Sequence, residues 1–218
     1  MRMPAKPRTR HGFYAPEKSR CPIWNGHDPD RRLTSRRHGM TIQTLIDDVI
    51  DREGGFVDHP ADRGGPTCWG ISVAVARANG YHGAMRDLPR AIAAAIYERV
   101  YWRGAGFDKI AERAPALAAE LFDTGVNMGT ATAARFLQRA LNALNRNGRD
   151  YADIAADQRI GAATLAALDA FLAIRGPAGE RVLIKAVDAL QGERYLALAE
   201  RRPADEAFLY GWLAARVA

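Results

Sequence analysis

Glu53 stands directly before Gly54-Gly55, and Asp58, Asp62 and Thr67 follow within fifteen positions, with Trp69-Gly70-Ile71 closing the stretch. An acid at the end of an apolar segment, followed by a glycine-rich loop with further carboxylates and a hydroxyl, suits the cleavage of a glycosidic bond. That reaction needs a protonated acid beside the leaving oxygen, and a second group that stabilises positive charge on the sugar or delivers water to it. Glu53 suits the first task. At a helix C-terminus it faces the negative end of the macrodipole, and apolar loop side chains would shield it from water; both effects favour the protonated form. The second group should come from the loop, where a hairpin can fold Asp58 or Asp62 back across a cleft. Asp62 with Thr67 would position an attacking water, which implies inversion if the carboxyl groups stand far enough apart to hold it. Taken singly, these residues have plainer explanations as a helix end, turn formers and a backbone-bonded hydroxyl. Their joint occurrence after one apolar helix favours the chemical reading.

Aromatic rings nearby suit a sugar partner, because an aromatic face matches the apolar C–H face of a pyranose. Trp69, inside the loop, is the expected groove wall, while Tyr101 and Trp102 fit a groove or a core equally well. His59 has no visible partner and reads as a solvated loop histidine. Cys21 and Cys68 form no CxxC and no zinc-type spacing, so neither a disulfide nor a metal site is expected, and Cys68 reads as a passive thiol.

The elements that must position these groups are helical. Ile42, Leu45, Ile46, Val49 and Ile50 form one apolar stripe, so a helix runs from Thr41 to near Glu53 and closes at Gly54-Gly55. Pro60, Gly64-Gly65-Pro66 and Gly70 exclude a helix over 56–71, which reads as a loop or small β-hairpin. Ser72 caps a short helix through Ala78. Another begins near Pro89 with Ile92, Ile96 and Val100 on its inward face and runs towards Tyr101-Trp102. Pro115 opens the next, with Leu117, Leu121 and Phe122 buried. Thr130 or Thr132 starts a helix with Phe136, Leu137, Ala140, Leu141 and Leu144 inward, stopped by Asn145 to Gly148. Further helices are expected at Ala162–Leu172, Glu180–Glu200 and Asp205–Val217, so the fold is mainly α.

The formal charge of +6 is unevenly spread. Residues 1–39 hold ten Lys/Arg against three Asp/Glu, a balance of +7, which leaves −1 for the rest, and five of the eleven prolines also fall there. This stretch reads as a disordered basic tail, either solvated or the product of an upstream start codon with Met40 as the effective beginning. A role against nucleic acid or an anionic surface is the lesser alternative. There is no run long and apolar enough to span a membrane and no secretory signal, so synthesis in the cytoplasm is expected.

The run Glu53-Gly54-Gly55-Phe56-Val57, then Asp58 to Asp62, Gly64-Gly65 and Thr67-Cys68-Trp69-Gly70-Ile71-Ser72, resembles the signature of glycoside hydrolase family 108. The similarity continues through Ile96-Tyr97 and Tyr101-Trp102 to Phe122-Asp123 and Asn127-Met-Gly129. The resemblance implies a lysozyme-like α-rich fold over 40–128 with a small loop or β-hairpin at the active site, and hydrolysis of the β-1,4 bond from N-acetylmuramic acid to N-acetylglucosamine in peptidoglycan. It also implies Glu53 as catalytic acid; the candidate site is then Glu53 with Asp62 and Thr67, with Trp69, Asp58, Trp102 and Asn127 as expected substrate contacts and no cofactor or metal. The spacing Glu53, Asp62, Thr67 is similar to the triad of phage-type lysozymes, with one residue fewer between the last two. Phe136-Leu137-Gln138 to Asn142 and Asp157-Gln-Arg-Ile160-Gly161 resemble the predicted peptidoglycan-binding region that accompanies this family, placing it over 129–218; Gln158 stands where that region usually has glycine.

A monomer acting at the periplasm or cell wall follows, with a holin or secretion apparatus as the route out. Two rivals remain: a lytic transglycosylase, which forms an anhydro product, and a non-catalytic wall-binding or assembly protein. A chain starting at Met40 is expected to clear purified murein sacculi as fast as the full chain, and a slower rate would give residues 1–39 a function.

Overall fold

The structure, a computed structural model, describes residues 41–58 and 65–216. The expectations placed on residues 1–39, on His59 and on Asp62 lie outside the described residues.

Helix α1 (Ile42–Glu53) opens on Thr41, whose hydroxyl accepts the Thr44 N–H at 3.3 Å, and buries Ile46, Val49 and Ile50. It ends where expected, because Gly54 takes φ 73° and its N–H bonds to the Ile50 carbonyl at 3.1 Å. The chain then pairs Val57 with Thr67 through two 2.8 Å backbone bonds. Strands β1 (Thr67–Cys68) and β2 (Ile71–Ser72) form an antiparallel hairpin around Trp69-Gly70, with Thr67 opposite Ser72 and Cys68 opposite Ile71. Ser72 caps α2 (Val73–Ala78), its Oγ accepting the Val75 N–H at 3.4 Å.

Helix α3 (Arg90–Ile96) passes without a break into a π-helical turn over Tyr97–Arg103, followed by α4 (Phe107–Ala111) and α5 (Pro115–Met128). The expected inward face of Ile92, Ile96 and Val100 needs correction. Ile96 is buried, but Ile92 and Val100 are 36% and 37% exposed. The buried face runs through Ala93, Ile96 and Tyr97, and the wider π turn then brings in Trp102, five residues after Tyr97.

Helix α5 is buried on every side from Ala116 to Gly125 and packs against α4, α6 (Thr130–Leu144) and α7 (Ala162–Arg201). The two helices expected at Ala162–Leu172 and Glu180–Glu200 are both present within α7, separated by a kink at Gly176, whose φ 59°, ψ −160° is not helical. Pro177 causes that kink: its ring disfavours helical backbone in the residue before it, and glycine takes the alternative at least cost. A 3-10 turn at Pro203–Asp205 leads into α8 (Glu206–Arg216). The architecture is mainly α and lysozyme-like, with one small hairpin.

The loop between α6 and α7 is pinned by α6 side chains. Buried Gln138 donates through Nε2 to Asp157 Oδ1 at 2.7 Å and to the Arg159 carbonyl at 3.0 Å, while its Oε1 accepts the Gln158 N–H at 3.0 Å. Asn142 brackets Ile154, donating to its carbonyl at 2.8 Å and accepting its N–H at 3.0 Å. Gln158 sits in this loop at φ 70°, which explains why glycine is usual there. Gln158→Gly should therefore stabilise the fold by about 1 kcal/mol, read as a higher melting temperature in calorimetry; a lower one would show that the left-handed backbone carries no strain.

Candidate functional site

The end of α1 meets the hairpin turn at Glu53. The side chain is half-buried, and its methylene groups lie against Gly70. A Cβ at Gly70 would stand 2.5 Å from Tyr97 Oη, 2.8 Å from Glu53 Cγ and 3.0 Å from Glu53 Cβ, and φ there is +73°. Only glycine fits a backbone that passes so close to the acid. Two bonds hold the turn in place: Tyr97 Oη donates to the Trp69 carbonyl at 3.0 Å, and Trp69 Nε1 donates to the Leu88 carbonyl at 2.9 Å. Trp69 itself takes φ 52°, so the whole turn is left-handed.

Two phenols come from the π turn. Burial, the Glu53 charge and Tyr101 together push the Tyr97 hydroxyl well above its ordinary range, and burial with Glu53 raises Tyr101. Both are neutral hydrogen-bonding groups at any working pH. Burial pushes the Cys68 thiol up as well, which keeps it protonated and inert as a nucleophile.

On the other side of Glu53 lies an ion-pair chain. Arg52 Nη2 bonds Asp123 Oδ1 at 2.7 Å, and Arg216 Nη1, from α8, bonds Asp123 Oδ2 at 3.0 Å. Burial alone would lower the Arg216 pKa, but Asp123, Tyr195 and Glu53 outweigh it and hold the guanidinium above its ordinary value. Arg216 is thus a fixed cation. Asn127 donates to the Tyr195 hydroxyl, which burial pushes up to about 12, and the Tyr195 ring stacks on Trp212 of α8 at 5.3 Å.

The expected site residues separate as follows. Glu53 and the hairpin carrying Thr67 come together, and Thr67 is half-buried three positions before Gly70. Asp58 is exposed beside the Val57–Thr67 bridge. Trp69 is half-buried and packed partly on the core. Asn127 points to Tyr195. Trp102 requires correction as a sugar-stacking ring: it is 8% exposed and makes a T-shaped contact with Phe122 at 5.7 Å, so it packs in the core.

Sequence reasoning passed over Arg52, Tyr97, Asp123 and Arg216 as site components. Asp123 carried a signal, as did Glu120, since a carboxylate inside a helix that is otherwise mostly apolar must have a partner. Arg216 carried none, being a single cation in the last turn of its helix, where a cation commonly complements the dipole.

Elsewhere, a cleft of about 210 Å³ carries Arg103, Lys109 and Arg159, and its lining among the described residues includes no carboxylate, so it offers no acid for proton transfer. Among the described residues no group of three or more His, Cys, Asp or Glu is placed to hold a metal ion. What the Glu53 site offers is one carboxyl group between neutral phenols and a fixed cation, against a hairpin that bears a hydroxyl.

Residues 46–129 match the family described as glycosyl hydrolase 108, and residues 132–217 match that described as predicted peptidoglycan domain. Among solved structures the fold is similar to the Brucella abortus protein SagA, at 24% identity and a TM-score of 0.51, over 77% of this chain and 95% of that one. No curated protein sequence matches at a significant level.

Gly70→Ala is expected to push Glu53 and Tyr97 off their positions. It should cost about 1–3 kcal/mol of stability by overpacking and slow the clearing of murein by more than that loss of folded protein explains. Wild-type melting and clearing would show that the turn has room to give.

Proposed function

We propose that this chain, which belongs to glycosyl hydrolase family 108 through residues 46–129 and carries the predicted peptidoglycan domain over residues 132–217, is an N-acetylmuramidase. The glycosyl hydrolase 108 match supports a glycoside hydrolase, and the match to the predicted peptidoglycan domain supports peptidoglycan as the partner. The finer reading is cleavage of the β-1,4 bond from N-acetylmuramic acid to N-acetylglucosamine. The observation that carries it is the placement of Glu53 against the hairpin turn, walled by Tyr97 and Tyr101 and with charge from Arg216 close by.

Glu53 gives its proton to the glycosidic oxygen as the C–O bond breaks and positive charge builds on the sugar ring. A water held by Asp62 and Thr67 attacks the anomeric carbon, and its proton passes to Asp62. Glu53 regains a proton from solvent and Asp62 returns its own. No metal or cofactor takes part in this scheme. The site of action is the cell wall, reached through a holin or a secretion apparatus.

Glu53→Gln should lower the clearing of purified sacculi by 10²-fold or more, while the protein still sediments with them; Asp62→Asn and Thr67→Ala should each cost something like 10²-fold. Undiminished clearing by Glu53→Gln would remove Glu53 from the mechanism, and near-wild-type rates for the other two would defeat the water-positioning role. Mass spectrometry of the digest should show reducing ends, whereas anhydro-muramoyl ends would make the enzyme a transglycosylase.

A further inference from the structure

Helix α8 falls within the stretch that matches the predicted peptidoglycan domain, yet its last turn is tied to Asp123 of the other stretch. Asp123 joins them, one carboxylate taking Arg52 from the final turn of α1 and Arg216 from the final turn of α8. The Arg216 side chain is 19% exposed, against 45% for Arg52, so Arg216 is the better shielded of the two cations.

We propose that Arg216 is a positioning residue for the reaction: locked by Asp123 against the end of α1, it stabilises the Glu53 carboxylate that forms on proton transfer, and α8 is thereby a wall of the active site. This rests on Glu53 being the catalytic acid.

The charge balance around Glu53 supports the assignment. Arg52 and Arg216 bring two positive charges against the one negative charge of Asp123, so the ion-pair chain that follows on from Glu53 carries a net +1, and the Tyr97 and Tyr101 phenols are neutral. When Glu53 releases its proton, the nascent carboxylate sits at the unfavourable C-terminal end of the α1 dipole. A shielded, immobile cation offsets that cost at the moment charge develops, and needs no reorganisation to do so. Glu53 contributes to the field on Arg216, which places the two within electrostatic reach. Anchoring of α8 does not depend on Arg216 alone, since Trp212 stacks on Tyr195 of α7 at 5.3 Å. A neutral residue at 216 therefore leaves α8 a second attachment.

The test compares Arg216→Gln, Arg216→Met, Arg216→Lys and Glu53→Gln in the full chain by clearing of sacculi, co-sedimentation with sacculi and thermal melting. Arg216→Gln and Arg216→Met should clear on the order of 10-fold to 10²-fold more slowly while sedimenting like wild type and melting cooperatively, and Arg216→Lys should recover most of the rate. Clearing by the neutral variants within twofold of wild type would overturn the proposal. So would a loss of sedimentation matching the loss of rate, which would make α8 a wall-binding surface, or failure of both neutral variants to fold, which would make Arg216 a structural tie only. Lys and Gln variants equally slow would also overturn it, since charge would not then be the agent. Clearing by Glu53→Gln at the wild-type rate would instead remove the muramidase reading itself, whatever Arg216 does.

Discussion

Asp123 is the constraint on which the rest of the site depends. A carboxylate 8% exposed inside an apolar helix is tolerable only when cations and donors replace the water it has lost. It draws one guanidinium from α1, 71 positions before it, and one from α8, 93 positions after it. Neither helix can shift along α5 without breaking a bond of 2.7 or 3.0 Å and leaving charge buried. For fully buried pairs such a break costs about 3–5 kcal/mol, and less on the Arg52 side, where solvent screens the pair. The energy serves position: the residue after Arg52 is Glu53.

The opposite wall is held by shape more than by charge. Gly70 lets the hairpin turn touch the Glu53 methylenes, and the Tyr97 hydroxyl clamps the turn from beneath. Tyr97 reaches this place because α3 gives way to a π turn at that residue. One helical irregularity thus does two things: it sends Trp102 into the core against Phe122, and it aims the Tyr97 and Tyr101 phenols towards the acid. The cost of the irregularity is borne by a fold whose hairpin has only two residues per strand and relies on such side-chain clamps.

Legibility in the sequence followed the range of the interactions. Local signals held: the stripe of α1, its stop at Gly54, the Ser72 cap, Pro115 in the first turn of α5, and the hairpin between 56 and 71 are all written in nearby residues. The inward face after Pro89 was misjudged at both ends: Ile92 lies in the first turn of α3, beside the buried face through Ala93, Ile96 and Tyr97, and the π turn changes the period before Val100, while the break before Glu180 is present as the non-helical Gly176 ahead of Pro177. Glu53 was visible as a candidate from its neighbours. Its surroundings were not, since Asp123 and Arg216 lie 70 and 163 positions away and no periodicity links them to it. Trp102 shows the same limit from the other side, because an aromatic next to a site motif gives no sign of which way its ring will turn.

The residues that mark the second family stretch argue for one folded unit. Gln138 and Asn142 spend their amides on the loop from Ile154 to Arg159, and Asp157 is held below the usual carboxylate range first by Gln138 and then by the Arg159 N–H. Groups so engaged cannot turn to a ligand without releasing the loop, which makes this part of the pattern a record of folding. The boundary between the two stretches falls at Gly129, φ 91°, the hinge between α5 and α6, and these two helices pack on each other. Helix α5 belongs to the first stretch but is buried on all sides, so it needs α6 and α7 of the second to cover it. A region whose central helix is roofed by its neighbour, and whose acid is flanked by that neighbour's final turn, does not have a surface along which the two could work apart.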